Sequence, residues 1–321
     1  MTEIITSDRR MREMIQLAKT VAQSKATVLI QGESGTGKEL MASLVHENSN
    51  RVNRPFVAIN CAAIPENLLE SELFGYERGA FTGAVTSKAG KFEFANGGTI
   101  LLDEISEMDV RLQAKLLRVI QEGEVDRIGG RKPIPVDVRI VATTNRNLAD
   151  CVKAGTFRED LFYRLNVVNI NVPPLRERLG DVKLLCSHFK GIYCEKNEKA
   201  SAEFSPQAIQ MLEAHVWQGN VRELENVIER AVITATGGMI LEKDIVIERR
   251  TENAVLAAEI AEAAEKSWSP GKTLDDIERN VILEALTYHQ GNRTHTARAL
   301  GISIRTLRNK LADYRSTGLN V

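Results

Sequence analysis

Seven residues near the amino terminus, Gly32-Glu33-Ser34-Gly35-Thr36-Gly37-Lys38, combine glycines with one lysine in the pattern that wraps a phosphate chain. Glycine lets consecutive backbone N–H groups curl round phosphate oxygens, and a helix opening here adds partial positive charge at its N-terminus. Lys38 supplies a full charge. An apolar run precedes the loop and an amphipathic stretch follows it, the strand-loop-helix setting this chemistry needs. A nucleotide is therefore the expected ligand. Glu39 comes next, where many such loops carry a Ser or Thr hydroxyl for magnesium, so Mg2+ must rest on phosphates, waters and carboxylates. Asp103 and Glu104, after the apolar run Thr99–Leu102, are those carboxylates. Parallel strands bring their C-terminal ends to one edge, which makes Asp103 the expected metal-side group and Glu104 the expected base that polarises water. Asn145 ends another strand on that edge, in reach of the water or the γ-phosphate.

The elements that must position these residues alternate as strand and helix, the signature of a parallel α/β sheet with helices on both faces. Strands are predicted at Thr27–Ile30, Phe56–Asn60, Thr99–Leu102, Val138–Thr143 and Val167–Val172. Helices fall at Glu39–Glu47, with Leu40, Leu44 and Val45 as its stripe, and at Val110–Gln121, with Leu112, Leu116, Leu117 and Ile120. Two stretches interrupt the alternation: the glycine-rich Gly75–Gly98 and the shorter Gly123–Asp137. Both read as insertions, the first with a task of its own. After Pro173–Pro174 the strand signals fade, and Asp181–Lys196, Ser205–Ala214 and Val221–Ala235 read as helices. The predicted organisation is an α/β unit over 1–172, a helical lid over 173–247, a linker over 248–272 and a small all-helical unit over 273–321.

With 321 residues, 43% of them hydrophobic, the chain can bury a large core. Its net charge of −1 excludes any global attraction to nucleic acid, so DNA contact requires a local patch. Cys61, Cys151, Cys186 and Cys194 stand singly, without metal or disulfide spacing, which points to reduced thiols and a cytoplasmic protein. No apolar run approaches the roughly 20 residues that span a membrane.

The local patch lies at the carboxyl end. Gly291–Leu311 has the form of a helix-turn-helix: a short helix with Ala297 and Leu300 inward, a turn at Gly301, and a second helix from about Ser303. Arg293, Arg298, Arg305, Arg308, Lys310 and Arg315 face Asp313 alone, a local net charge of +5. Leu307, Leu311 and Tyr314 should pack inward. Ser303, Arg305, Thr306, Arg308, Asn309 and Lys310 are then the candidates for bases and phosphates, and Ile304 is either core or a contact for a thymine methyl.

With GESGTGKE at Gly32–Glu39, GAFTGA at Gly79–Ala84 and LLDEI at Leu101–Ile105 in one chain, residues 4–247 closely resemble the central domain of sigma-54-dependent transcription activators, an AAA+ ATPase family. GAFTGA at this place is highly specific to that family. The resemblance implies a ring, usually a hexamer, with ATP at subunit interfaces and sigma-54 with RNA polymerase as partner. It makes Glu39 the usual residue and Asn60 the switch that holds Glu104 between turnovers. It assigns Gly79, Ala80, Phe81, Thr82, Gly83 and Ala84 to sigma-54 contact, Arg158 and Arg164 to the trans-acting arginine segment, and Arg222 to nucleotide sensing by the lid. Read without the family, each of the two arginines is an ordinary surface salt-bridge residue. Gln218 replaces the proline usual before Gly219, which bears on the stiffness of that turn. The carboxyl end is similar to the Fis-type module. The family's usual regulatory domain does not precede the ATPase in this sequence, so control is expected from a separate protein, from nucleotide concentration or from an upstream part. A chaperone-type ATPase would lack GAFTGA and the helix-turn-helix, and a plain repressor would have lost the catalytic set.

Overall fold

In a computed structural model, residues 4–199, 203–235 and 238–247 are described, with 278–279, 281–282, 285–286, 288, 292–300, 302 and 304–316 beyond them. The chain forms two compact units, Met1–Val246 and Ile247–Val321.

The first unit is built on β1 (Val28–Gln31), β2 (Phe56–Asn60), β5 (Thr99–Asp103), β8 (Arg139–Thr144) and β9 (Val168–Asn171). They form one parallel sheet in the order β2-β5-β8-β1-β9. Side chains alternate between its faces, as the two-residue period of a strand requires. Leu29, Ile100, Leu102 and Ile140 enter one core, which α3 (Glu66–Phe74), α5 (Val110–Glu122), α6 (Leu148–Lys153) and α7 (Glu159–Leu165) close with Leu73, Leu112, Leu116, Leu148, Leu161 and Leu165. Val28, Ile30, Leu101, Val141 and Ile170 enter the other, closed by α1 (Arg9–Ala22) and α2 (Lys38–Glu47) through Met11, Ala18, Met41 and Val45. Leu40, expected in the α2 stripe, is 46% exposed, because the buried face is made by Met41, Ala42, Leu44 and Val45.

Helix ends carry local signals. Asp8 caps α1 by accepting from Met11 N–H, and Asp109 caps α5 by accepting from Arg111 N–H. At the far end of α1, buried Arg139 donates to the Val21 and Ala22 carbonyls, satisfying acceptors the helix leaves open.

Each insertion is a short hairpin. β3 (Gly75–Tyr76) pairs antiparallel with β4 (Lys88–Ala89), and α4 (Lys91–Phe94) follows. β6 (Glu124–Val125) pairs with β7 (Ile134–Pro135). The two lean on each other: Ile128 N–H donates to Gly75 O and Glu77 N–H donates to Ile128 O, both at 2.9 Å. The lid comprises α8 (Gly180–Lys196), α9 (Pro206–Ala214) and α10 (Asn220–Thr234), centred on the fully buried Trp217.

Among the described residues no helix is long and apolar enough to cross a membrane.

Candidate nucleotide site and partner surfaces

The C-terminal ends of β1, β2, β5 and β8 meet at one edge, and the loop Gly32–Lys38 joins β1 to α2 there. Glycine is required by space as well as by conformation. Gly35 has φ +77, and a Cβ on it would lie 2.3 Å from Gly219 O. Gly37, φ 98, caps α2 with no side-chain hydrogen bond, so the first N–H groups of that ten-residue helix are left for an anion. Thr36 closes the turn by donating through its hydroxyl to Glu33 O at 2.8 Å.

Lys38 is 6% exposed. Its Nζ donates to Gly32 O at 2.9 Å and to Glu33 O at 3.2 Å, and lies 3.6 Å from Glu104 Oε1. Glu104 stands at φ 52, a left-handed conformation that costs a non-glycine residue about 1 kcal/mol. That turn swings its carboxylate away from the strand, and Oε2 accepts from the Asn145 backbone N–H at 3.1 Å. Asn145 thus reaches Glu104 through its main chain, while its side chain is exposed.

Asp103 is held differently. Its Oδ2 accepts from Asn60 Nδ2 at 2.7 Å and its Oδ1 accepts from the Thr143 hydroxyl. The register dictates this, since Asn60 is the Cα partner of Asp103 and Thr143 follows the Leu102 partner Ala142 on the other side. Asn60 was expected to hold Glu104; it holds Asp103, because a residue at that register faces the adjacent strand end and Glu104 has turned past it.

These groups fit a nucleotide with its metal. The loop offers uncapped amides and a buried cation, and Asp103 is a fixed carboxylate at its mouth. Among the described residues no cluster of three or more His, Cys, Asp or Glu could hold an ion alone, so a Mg2+ here would share Asp103 with phosphate oxygens and water. Next to this pair, burial, followed by the charges of Asp103 and Glu104, pushes the Cys61 thiol up to about 12, which keeps it inert.

The remaining loop positions face the lid. Glu33 accepts from Arg176 at 2.8 and 2.5 Å and from Asn220 Nδ2 at 3.2 Å, and Arg176 holds its carboxyl below the usual carboxylate range. Only its backbone is therefore turned to the cradle. Arg222 Nη1 donates to Ser34 Oγ at 3.3 Å, and Nη2 lies 4.0 Å from Glu39 Oε1.

The Gly79–Ala84 loop spans the tip between β3 and β4. Phe81 is 47% exposed with its ring edge-on to Tyr76 at 5.0 Å, and Thr82 and Gly83 are exposed. Ala84, expected at the partner surface, is buried at 6% and closes the loop through Gly79 N–H to Ala84 O at 2.9 Å. Ala80 is half-buried under Gly129 of the second hairpin.

Comparison with known proteins decides the family. The chain matches the sigma-54 interaction domain over residues 4–171, the AAA+ ATPase lid domain over 176–261 and the bacterial regulatory protein Fis family over 273–314. It belongs to the sigma-54-dependent regulators. The transcriptional regulatory protein FlbD of Caulobacter vibrioides is 53% identical over 99% of this chain and 71% of its own length. The regulatory protein AtoC of Escherichia coli is 50% identical over 97% of this chain and 67% of its own. A crystal structure of NtrX from Brucella abortus in complex with ATP superposes with a TM-score of 0.71 at 32% identity, covering 97% of this chain and 69% of that one.

In this sigma-54-dependent regulator, Arg158 stands at the N-cap position of α7, its side chain paired with Asp160 at 2.7 and 3.0 Å, while Arg164 is exposed in the last turn of that helix. In the second unit, helices Arg293–Ala299 and Ile304–Ser316 pack through Ala297, Leu307 and Leu311 on Ile282, with Tyr314 partly buried. Thr306, Arg308 and Asn309 are exposed and Ile304 is 38% exposed, outside the core. Lys310, expected on DNA, ion-pairs with Glu278 at 2.7 Å. Ser303 and the side chain of Arg305 lie outside the described residues.

Sequence reasoning passed over Thr143, Arg176, Arg178, Asp181 and Asn220. A dense run of alternating charge directly after Pro173–Pro174 was the available signal for the arginines, and Asn220 stood within the quoted stretch before Arg222.

Proposed function

We propose that this chain hydrolyses ATP within a homo-oligomeric ring, a hexamer, and spends the energy on remodelling the closed complex of sigma-54 RNA polymerase while its C-terminal unit holds an upstream site on double-stranded DNA. Glu104 carries the reading: a carboxylate fixed between Lys38 and the Asn145 amide at the lip of the phosphate loop is placed to take a proton from water attacking a γ-phosphate. Bound Mg2+ supplies charge neutralisation on the phosphate oxygens, and Asp103 is the residue to hold it. Lys38 and the amides of Gly35, Gly37, Lys38 and Glu39 bind the phosphates. Arg158 and Arg164, on one exposed segment, act on the nucleotide of a neighbouring subunit, so turnover depends on assembly. Arg222 reports nucleotide to the lid. The exposed Phe81 and Thr82 contact sigma-54, and Arg305, Thr306, Arg308 and Asn309 contact DNA.

Three measurements in one preparation test this: ATP binding, turnover and promoter opening by sigma-54 polymerase. Glu104→Gln should bind ATP and lose turnover by at least about 100-fold. Thr82→Ala should keep ATP binding and DNA binding while losing promoter opening. Normal turnover in the first variant removes the base; normal opening in the second removes the loop from coupling.

A further inference from the structure

Three successive carbonyls of the phosphate loop are each held by a donor from the lid side. Ser34 O accepts from Asn220 Nδ2 at 3.0 Å. Gly35 O accepts from the Val221 and Arg222 backbone N–H groups at 2.9 and 3.3 Å. Thr36 O accepts from Arg178 Nη2 at 2.9 Å. We infer that Asn220 and Arg178 are positioning residues that set the direction of the phosphate-binding amides of Gly35 and Gly37, so that lid placement governs phosphate affinity. This rests on the proposed nucleotide site and adds how that site is kept in shape.

The physics lies in the peptide plane. A trans peptide is rigid, so fixing a carbonyl toward the lid fixes the N–H of the next residue in the opposite direction. The three held carbonyls therefore orient the amides of Gly35, Thr36 and Gly37. Flipping a peptide plane mainly exchanges ψ of the first residue and φ of the second, and the flip is cheap only where the second residue is glycine. Ser34–Gly35 and Thr36–Gly37 are the two peptides with glycine second, at φ 77 and 98. They are also the two held by side chains. The intervening Gly35–Thr36 peptide, which Thr36 stiffens, is held by main-chain donors, and its N–H turns back toward Glu33 O at 3.4 Å.

Both anchors are themselves fixed. Asn220 is fully buried at φ 55, a conformation asparagine tolerates, and its Oδ1 accepts from Leu175 N–H at 2.8 Å. Its amide orientation is thus determined, with Nδ2 turned to Ser34 O at 3.0 Å, its shortest contact, and to Glu33 Oε2 and Gln218 O at 3.2 and 3.3 Å. Arg178 is 4% exposed and lies 3.7 Å from the fully buried Asp181. Asp181 in turn accepts from the Thr6 hydroxyl at 2.7 Å and the Ser7 N–H at 2.6 Å. The segment preceding α1 is thereby linked through Asp181 and Arg178 to the Thr36 carbonyl. The side chains of Arg222 and Lys38 have separate tasks: the guanidinium donates to Ser34 Oγ and the ammonium to Gly32 O and Glu33 O, and neither reaches a carbonyl of residues 34–36.

The test uses the full chain and four readings: ATP affinity, affinity for inorganic tripolyphosphate, the steady-state constants, and amide exchange over residues 34–39. Asn220→Ala should weaken ATP and tripolyphosphate alike by about 10-fold, the value of one to two hydrogen bonds. KM should rise by a similar factor while kcat stays within about 3-fold, since these amides bind the ground state and the transition state together. Exchange at residues 34–39 should quicken while the sheet stays protected. Unchanged affinity for both ligands, or a loss confined to kcat, overturns the inference. If Asn220→Ala loses protection throughout the sheet, Arg178→Lys compared with Arg178→Met decides: the lysine, which can still donate to Thr36 O, should keep the tighter binding, and equal loss in both overturns it. Failure of the unmodified chain to bind ATP would instead overturn the nucleotide reading, which separates the two failures.

Discussion

Asp103 and Glu104 are neighbours in the chain and opposites in their surroundings: both oxygens of the first are occupied by side chains of adjacent strands, and those of the second by a lysine and a main-chain amide. A carboxylate meant to stay put needs donors that do not move, and strand ends supply them. Thr143→Val removes the donor to Asp103 Oδ1, a carboxylate that is 9% exposed, and the acceptor of the Glu104 N–H at 3.3 Å, with little change of shape. Urea denaturation should register a loss of about 1–3 kcal/mol, and Thr143→Ser, which keeps the hydroxyl, should stay near the unmodified chain. Equal loss in both variants would show that the methyl matters and the hydrogen bond does not. At this scale the sequence exposes residues whose type is unusual for their place, such as Lys38 among glycines or two acids after an apolar run. It does not expose Thr143, an ordinary strand residue until the stagger of β5 against β8 is known. The contact of Asn60 Nδ2 with Asp103 was hidden for the same reason, since that partner follows from register and not from order in the chain.

Strands and helices were legible because each buries a face with its own period. β1 is predicted one residue early, and β2 is predicted at its observed limits. The hairpins β3–β4 and β6–β7 were not legible as strands, since two paired residues carry no period. The Leu40 error has a similar origin: an apolar residue at the margin of a helical stripe is assigned inward by type, while the 100° step between residues turns it outward. α2 also buries His46, whose Nδ1 lies 3.0 Å from Thr99 Oγ1 on β5. Burial, aided by the Arg139 charge, lowers its pKa below 6.5 against the opposing charge of Glu47. The folded chain then binds fewer protons than the unfolded one as pH falls below 6.5, so His46 adds stability above that pH and the contribution is lost as pH drops through the folded value. Thermal melting compared at pH 7.5 and 5.5 should show a fall that His46→Leu reduces. An identical fall in the variant would assign the effect to other groups.

At the scale of the molecule, charge and composition point in different directions in the two units. The whole chain carries −1, which gives DNA no purchase, yet residues 291–315 carry a local +5. The contact boundary at Val246 and Ile247 leaves the sheet, the phosphate loop, the lid and the Gly79–Ala84 loop in one unit, and the paired helices ending at Ser316 in the other. Catalysis and DNA reading should therefore separate on truncation. A fragment ending at Val246 keeps every residue that holds the loop carbonyls and both carboxylates proposed for catalysis, Asp103 and Glu104, so it should bind and hydrolyse ATP, and its turnover per subunit should rise with concentration if Arg158 and Arg164 act across subunits. It should show no site-specific DNA binding. The full chain should bind DNA with an affinity that falls steeply with salt, because arginines on phosphates release condensed counterions, and Arg308→Ala should lower the slope of log affinity against log salt by about 1. Lys310→Ala should change that slope less, its ammonium being engaged by Glu278. A fragment that protects the same DNA site as the full chain in footprinting would place the reader in the first unit, and the basic helix would then be a solvated face.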